Sequence, residues 1–172
     1  MFLYFAYGSN MLTERLVAGC PSATVAGLAR ADDFTVRFSK PSKDGSGKAT
    51  LVAAPGSTAY GVLFNVADSD LRHLDEAEGV DYRRVDDFSI SRLVGDGETV
   101  RSTTYIASAL DDTLQPFDWY VDLVLAGCKQ HGLPDDYARH FRETPFIVDL
   151  NEKRQSAVAA RRLLAQVGFQ RG

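Results

Sequence analysis

The pattern of hydrophobic and polar positions is clearest at the start of the chain. Residues 2–7, Phe-Leu-Tyr-Phe-Ala-Tyr, run without a polar interruption, which predicts a strand buried on both faces. Gly8, Ser9 and Asn10 then end the strand, and residues 11–18 take up helical spacing. We therefore expect a turn in which Gly8 permits positive φ and Ser9 or Asn10 caps a helix. Free N–H groups in such a turn are suited to holding a carboxylate or a developing oxyanion.

The middle of the chain carries apolar runs of strand character, separated by short polar segments. We expect strands at residues 23–30, 33–39, 49–54, 60–66, 85–94 and 99–107. Residues 40–48 lack large apolar side chains and are expected to form a flexible surface loop. Residues 55–57 and 95–97 contain Gly or Pro and predict hairpin turns.

Helical spacing predicts a helix over residues 68–78, capped by Asp68 and closed by Gly79. Three more helices are expected in the last third of the chain, at residues 117–130, 134–142 and 152–167. Strands therefore crowd the first two thirds, and tight turns join neighbouring strands. The fold class expected is α+β, as a single domain over residues 1–172, with a mixed or antiparallel sheet curled toward a small barrel and flanked by helices.

One acidic position interrupts the apolar face of the second predicted helix. Leu71, Leu74 and Glu78 fall at i, i+3 and i+7, so Glu78 occupies a place where a hydrophobic residue is expected. Desolvation and the negative end of the helix dipole both raise the pKa of such a carboxyl, the direction needed for a general acid or base near neutral pH. The residues leave two alternatives open. Glu78 can pair with Arg83 or Arg84, or the helix can end early and leave Glu78 in solvent.

Composition and charge narrow the function classes. The 172 residues are 45% hydrophobic and 24% charged, and the net charge of −4 gives no reason to expect nucleic acid or an anionic membrane as a partner. Cys20 and Cys128 lack metal-ligand spacing, so we expect two reduced thiols in a cytoplasmic protein. The apolar start is too short for a membrane span and lacks a basic leader. No Gly-Lys-[Ser/Thr] phosphate loop is present, and Ser9 lacks the elbow motif of a serine nucleophile.

Three stretches of the chain together resemble the γ-glutamylcyclotransferase family. They are residues 2–15 (Phe-Leu-Tyr-Phe-Ala-Tyr-Gly-Ser-Asn-Met-Leu-Thr-Glu-Arg), residues 74–80 (Leu-Asp-Glu-Ala-Glu-Gly-Val), and residues 132–134 (Gly-Leu-Pro) with Tyr137. The likeness runs in order from residue 2 to about Tyr137. It implies a small curled sheet with flanking helices, and a reaction that turns γ-glutamyl amino acids into 5-oxoproline and the free amino acid without a cofactor.

The resemblance also implies roles for individual residues. The glutamate before glycine, Glu78, matches the acid/base residue of the family. The strand end and turn that would hold the γ-glutamyl group comprise Tyr4, Phe5, Ala6, Tyr7, Gly8, Ser9 and Asn10. Tyr120 matches a tyrosine that contacts the substrate, and Tyr105 matches a tyrosine at a strand end. Tyr82 follows Gly79 sooner than in the family pattern, so its role in the site stays open.

The function expected from the sequence is therefore cyclisation of γ-glutamyl amino acids, with Glu78 as general acid and base. Two alternatives stay open: the same chemistry on γ-glutamylamines or on a γ-glutamyl-protected biosynthetic intermediate, and a non-catalytic ligand-binding or scaffold role. The expected partner is a small γ-glutamyl molecule, with a homodimer left open. No metal or cofactor is expected.

Overall fold

The computed structural model describes residues 1–94 and 97–171, and a closed five-stranded barrel lies at its centre. The strands are β1 (Phe2–Ala6), β2 (Thr24–Pro41), β3 (Gly47–Val66), β4 (Tyr82–Arg92) and β5 (Thr99–Ala107). Around the barrel they follow the order β1-β3-β2-β4-β5. β1 runs parallel to β5, and the other neighbouring strands are antiparallel. The expected α+β class with a mixed, curled sheet is confirmed.

Helices flank the barrel. They are α1 (Thr13–Gly19), α2 (Leu71–Glu78), α3 (Asp118–His131), α4 (Asp135–Arg142) and α5 (Gln155–Gln166). Helix α3 is buried over most of its length and packs against α4, α5 and the turn that follows β1. The apolar side chains of β1 and α3 thus hold the end of the first strand in the protein core. None of the helices among the described residues is long and apolar enough to span a membrane.

The largest difference from the sequence expectation lies in β2 and β3. Four short strands were expected there, but β2 and β3 are single strands of 18 and 20 residues. Residues 55–57 continue β3 instead of turning. Opposite them the register shifts at Asp33, whose φ is 64°, and the Gly56 N–H donates to Asp33 Oδ1 at 2.8 Å. The Gly and Pro therefore mark a bulge, which bends a long strand without ending it.

The expectation of a flexible surface loop at residues 40–48 is also wrong. This segment is a tight hairpin that joins β2 to β3, and Lys40 pairs with Lys48 across it. The Asp44 carboxylate accepts hydrogen bonds from the Ser46 hydroxyl at 2.6 Å and from Lys48 Nζ at 2.9 Å. Polar contacts thus order a segment that has little apolar surface to bury, which a hydrophobicity pattern does not reveal.

The first predicted helix begins later than expected. Ser9–Met11 forms a 3₁₀ turn, and α1 starts at Thr13. Neither Ser9 nor Asn10 caps a helix through its side chain. The φ of Gly8 is −117°, so positive φ is not the reason for a glycine at that position. This turn is shaped instead by the contacts of its side chains in the neighbouring cavity.

For the second helix, the C-terminal end was predicted correctly and the N-terminal end was not. Asp68 lies in a 3₁₀ turn before α2, where its carboxylate contacts the N-terminal ammonium and does not cap the helix. Gly79, with φ of 75°, closes α2 as expected. The predicted turn at residues 95–97 falls partly outside the described residues.

Candidate active site

A small cavity opens where β1 ends and the Ser9–Met11 turn begins. Tyr4 and Tyr7 from β1 and its end lie on one side, and Glu78 at the end of α2 faces them. The residues lining the cavity are Tyr4, Tyr7, Gly8, Ser9, Asn10, Ala49, Glu78, Tyr82, Tyr105 and Tyr120. Apart from Ala49, each was expected from the sequence, although the residues come from six separate parts of the chain. A larger groove of about 650 Å³ between α3 and α4 contains none of these residues.

Glu78 occupies the last position of α2, and its carboxylate is held by neutral donors. Its Oε1 accepts a hydrogen bond from Asn10 Nδ2 at 2.9 Å and another from the Tyr4 hydroxyl at 3.3 Å. Arg84 pairs with other carboxylates, those of Asp75 and Asp86. The helix does not end early, and neither alternative reading of Glu78 describes the structure.

Burial raises the pKa of the Glu78 carboxyl from 4.5 to about 7. The positive charge of Arg15, the hydrogen bond from Tyr4 and the positive charge of Lys40 act in the opposite direction but do not cancel the effect of burial. The upward direction agrees with the sequence expectation. A carboxyl with this pKa is partly ionised near neutral pH, so it can accept a proton and return it.

Gly8 brings the turn close to β3 and α3. A Cβ at Gly8 would lie 3.1 Å from Ala49 Cβ and 3.7 Å from the Tyr120 hydroxyl. Close approach is therefore the reason for a glycine here. A larger side chain at this position would enter the cavity.

Ala49 holds two of the tyrosines through its main chain. Its N–H donates to the Tyr120 hydroxyl at 3.2 Å, and its carbonyl accepts from the Tyr82 hydroxyl at 2.6 Å. The structure thus places Tyr82 in the cavity wall, whereas the sequence left its role in the site open. Sequence reasoning missed Ala49 because a main-chain contact leaves no signal in residue type.

The Ser9 hydroxyl is bound by an arginine. Arg15 Nε donates to Ser9 Oγ at 3.1 Å, and Ser9 is only 7% exposed. Arg15 belongs to the first sequence motif but was not expected in the site. Arg15 follows Ser9 by six positions and lies in a separate helix, beyond the i+3 or i+4 spacing of helical neighbours, so helical spacing gave no signal for this contact.

Hydrogen bonds connect Tyr7 to Tyr105 and Tyr105 to Asp75. The Tyr7 hydroxyl donates to the main-chain oxygen of Tyr105, and the Tyr105 hydroxyl donates to Asp75 Oδ1 at 2.7 Å. Burial raises the pKa of both tyrosines above the ordinary value of 10.0. Both hydroxyls are therefore neutral donors at physiological pH.

Phe5 and Ala6 were expected in the site but do not line the cavity. Both are fully buried, and the Phe5 ring stacks on Phe88 with the ring centres 6.2 Å apart. Because side chains alternate along β1, Phe5 turns away from the side that carries Tyr4. These two residues support the cavity from the protein core.

The part of the chain that the structure describes contains no recognisable metal-binding site. There, no three His, Cys, Asp or Glu side chains lie close enough together to hold a metal ion. Cys20 and Cys128 are both buried thiols.

Comparison with known proteins gives concordant matches. A family model described as AIG2-like matches residues 58–141. The chain is 33% identical over 143 residues to the γ-glutamylcyclotransferase of Bos taurus, covering 80% of this chain and 76% of that one. It is also 33% identical over 141 residues to the Homo sapiens γ-glutamylcyclotransferase, covering 79% and 74%. A solved structure described as γ-glutamyl cyclotransferase matches with a TM-score of 0.83 at 28% identity, covering 94% of this chain and 98% of that one.

Proposed function

Because the chain belongs to the γ-glutamylcyclotransferase family, we propose that it converts γ-glutamyl amino acids to 5-oxoproline and the free amino acid, with Glu78 as general acid and base. The observation that carries the proposal is the Glu78 carboxyl, which has a pKa of about 7 and lines the cavity beside Asn10 and Tyr4. A non-catalytic scaffold would have no need to hold such a carboxyl in a cavity by neutral hydrogen-bond donors instead of an ion pair.

The first step is ring closure within the substrate. Ionised Glu78 accepts a proton from the α-ammonium group, and the free amine attacks the γ-carbonyl carbon of the same molecule. A nitrogen–carbon bond forms, and the carbonyl electron pair moves onto oxygen. Because nucleophile and electrophile belong to one molecule, holding it folded removes much of the entropic part of the barrier.

The second step expels the leaving amino acid. The electron pair on the oxyanion re-forms the carbonyl, the original amide bond breaks, and Glu78 returns its proton to the departing nitrogen. The ring nitrogen, which still carries two protons after its attack, gives one to the Glu78 carboxylate. Glu78 passes that proton to the released amine and is ionised again at the end of the cycle. No water and no external nucleophile is consumed, so Ser9 needs no nucleophilic role. Its hydroxyl already accepts a hydrogen bond from Arg15.

The turn after β1 is the candidate for stabilising the oxyanion. Gly8, Ser9 and Asn10 line the same cavity as Glu78, and their main-chain N–H groups come before the regular hydrogen bonding of α1. Donors that are already fixed in position stabilise developing charge without reorganisation. We assign this task to the turn.

A substrate panel tests the proposal. The protein is incubated with γ-glutamyl dipeptides, γ-glutamylamines and glutathione, and 5-oxoproline is measured. We expect release from γ-glutamyl dipeptides by the wild-type protein and release that is slower by about 10² to 10⁴-fold from Glu78→Gln. Turnover of γ-glutamylamines alone would instead assign the chain to the alternative leaving-group class, and release from none of the compounds would overturn the enzymatic proposal.

A further inference from the structure

Lys40 is a buried cation beside the candidate active site. Its side chain is 9% exposed, and its Nζ lies 5.0 Å from the centre of the Tyr82 ring in the cavity wall. Its charge reaches Glu78, whose pKa it lowers. Lysine is rarely buried to this extent unless its ammonium group is paired.

The hydrogen-bonding capacity of this ammonium group is largely unused. A lysine ammonium has three N–H donors. Within the described residues, Lys40 Nζ donates a hydrogen bond only to Asp81 Oδ2, at a long 3.4 Å, and the Asp81 side chain is 54% exposed. Lys48, its partner across the hairpin, contacts Asp44 and Ser46, each at 2.9 Å. Of these two hairpin lysines, Lys40 is the one whose ammonium donors are largely unused.

Lys40 packs against Tyr82, a residue that lines both the cavity and a groove leading outward from it. An open groove shares Tyr82 and Tyr105 with the cavity and runs past Gly79 and Val80. These two residues connect Glu78 to Asp81, the partner of Lys40. The leaving group is protonated by Glu78. If it extends into this groove, it passes the edge of the cavity that Tyr82 forms.

The two arginines that line the groove, Arg72 and Arg84, are already paired with carboxylates. Arg84 pairs with Asp75 at 2.5 Å and with Asp86 at 2.9 Å. Arg72 pairs with Glu76 at 2.9 Å and is strongly exposed. An exposed pair contributes little to binding, because water and salt screen it.

We propose that Lys40 binds the carboxylate of the leaving amino acid and so makes the enzyme prefer γ-glutamyl amino acids over γ-glutamylamines. This inference rests on the proposed function, and it concerns only the leaving half of the substrate. An amino acid leaving group carries a carboxylate next to the carbon that bears the departing nitrogen, whereas a simple amine does not. A charge-assisted hydrogen bond at a shielded ammonium is stronger than one at the protein surface.

Asp81 is the exchangeable partner of the Lys40 ammonium group in this proposal. It is the anion that Lys40 contacts in the absence of substrate, and its exposure and long contact make it easy to exchange. Asp81 therefore competes with the substrate carboxylate for the same ammonium. Removing its charge should strengthen the preference that Lys40 confers.

The experiment compares γ-glutamylalanine with γ-glutamylethylamine. The two compounds differ only in the leaving-group carboxylate, and both give 5-oxoproline. The measured quantity is the ratio of their kcat/KM values. The variants are Lys40→Met, Lys40→Arg, Asp81→Asn and, as a charge control, Lys43→Met, which removes an exposed lysine from the same hairpin. Methionine keeps the length of Lys40 and replaces a buried ammonium by an apolar group, a change that folds commonly tolerate.

We expect Lys40→Met to lower the ratio about tenfold or more through loss of activity on γ-glutamylalanine alone. Lys40→Arg should keep a higher ratio than Lys40→Met, and Lys43→Met should leave the ratio unchanged. Asp81→Asn should raise the ratio by about twofold or more.

Two results would overturn the assignment. In the first, Lys40→Met lowers both kcat/KM values equally. In the second, Asp81→Asn lowers the ratio or leaves it unchanged, as expected if the Lys40 and Asp81 pair is only structural; this variant decides the matter even if Lys40→Met does not fold. Wild-type turnover of neither compound would overturn the proposed function itself, which is a separate and recognisable outcome.

Discussion

Asp75 and Glu78 lie one helical turn apart on α2, yet their carboxylates meet different surroundings. Asp75 pairs with Arg84 at 2.5 Å and accepts a hydrogen bond from the Tyr105 hydroxyl. Glu78 accepts hydrogen bonds from an amide and a phenol, and its pKa rises to about 7 through burial. Asp75 is thus held in a direct ion pair, whereas Glu78, three positions later, is held by neutral donors and feels the charges of Arg15 and Lys40 only weakly compared with the effect of burial.

The comparison shows how an acid/base group can arise on an ordinary helix. Residue type is nearly the same at the two positions, and both side chains are near the cavity. What differs is the balance between desolvation and compensating charge. We therefore expect Glu78 to move protons and Asp75 to position Tyr105, and the two roles predict different responses to substitution.

The largest expected effect is that of Glu78→Gln on turnover. Glutamine keeps the shape and can still accept from Asn10, but it cannot take the α-ammonium proton. We expect kcat for 5-oxoproline release to fall by about 10² to 10⁴-fold, with the far-UV circular dichroism spectrum unchanged. An active but destabilised variant would contradict the catalytic role.

A smaller effect is expected from Gly8→Val. The new side chain would press on Ala49 and Tyr120, which lie 3.1 and 3.7 Å from the position of a Cβ. We expect kcat/KM to fall by about 10- to 100-fold through misplacement of the substrate, with a smaller change in Tm. The matched control is Gly19→Val, because a Cβ at Gly19 has open space around it. Full activity in a folded Gly8→Val protein would remove the turn from the site.

Glu78→Gln should also change the pH dependence of stability. The carboxyl has a higher pKa in the folded protein, about 7 against 4.5, so the folded state holds the proton more tightly. Stability of the wild type should therefore fall as pH rises from 4.5 to 7. Between pH 4 and pH 8, the free energy of unfolding of the variant should rise relative to that of the wild type by at most about 3 kcal/mol. The rise should be smaller if solvent reaches the carboxyl. Urea unfolding at pH 4, 6 and 8 measures this difference; a constant difference would contradict the raised pKa.

Asp75→Asn should have the smallest effect. The pair with Arg84 is partly exposed, so its loss should lower the free energy of unfolding by about 1 kcal/mol or less. The Tyr105 hydroxyl can still donate to the asparagine oxygen, and we expect kcat to change by less than about tenfold. Kinetics and thermal unfolding check both values. A loss of turnover equal to that of Glu78→Gln would remove the distinction between the two carboxylates.

The sequence is most informative where a single element explains the pattern. The apolar run of β1, the closing glycine of α2 and the unexpected acid at Glu78 all follow from short-range rules. These rules are the burial of continuous apolar runs, the conformational freedom of Gly79 and the cost of desolvating a charge. The strand, the end of that helix and the direction of the Glu78 pKa could therefore be predicted.

Prediction from the sequence failed where structure depends on pairing between distant segments. The bulge at Asp33 and Gly56 requires two strands in register, and the hairpin at residues 40–48 is ordered by polar contacts. Local composition shows both as loops. The carbonyl and N–H of Ala49 contribute to the cavity through the main chain, and no residue pattern encodes that role.

The central claim is that Glu78 carries the proton in catalysis, and direct titration of its carboxyl tests it most closely. The side-chain carbon is followed by ¹³C NMR across the pH range, with the signal assigned by its loss in Glu78→Gln. The predicted midpoint is about 7, and the acidic limb of kcat/KM for γ-glutamylalanine should share it. A midpoint near the ordinary 4.5, or a pH–rate profile that does not follow the titration of Glu78, would contradict the account.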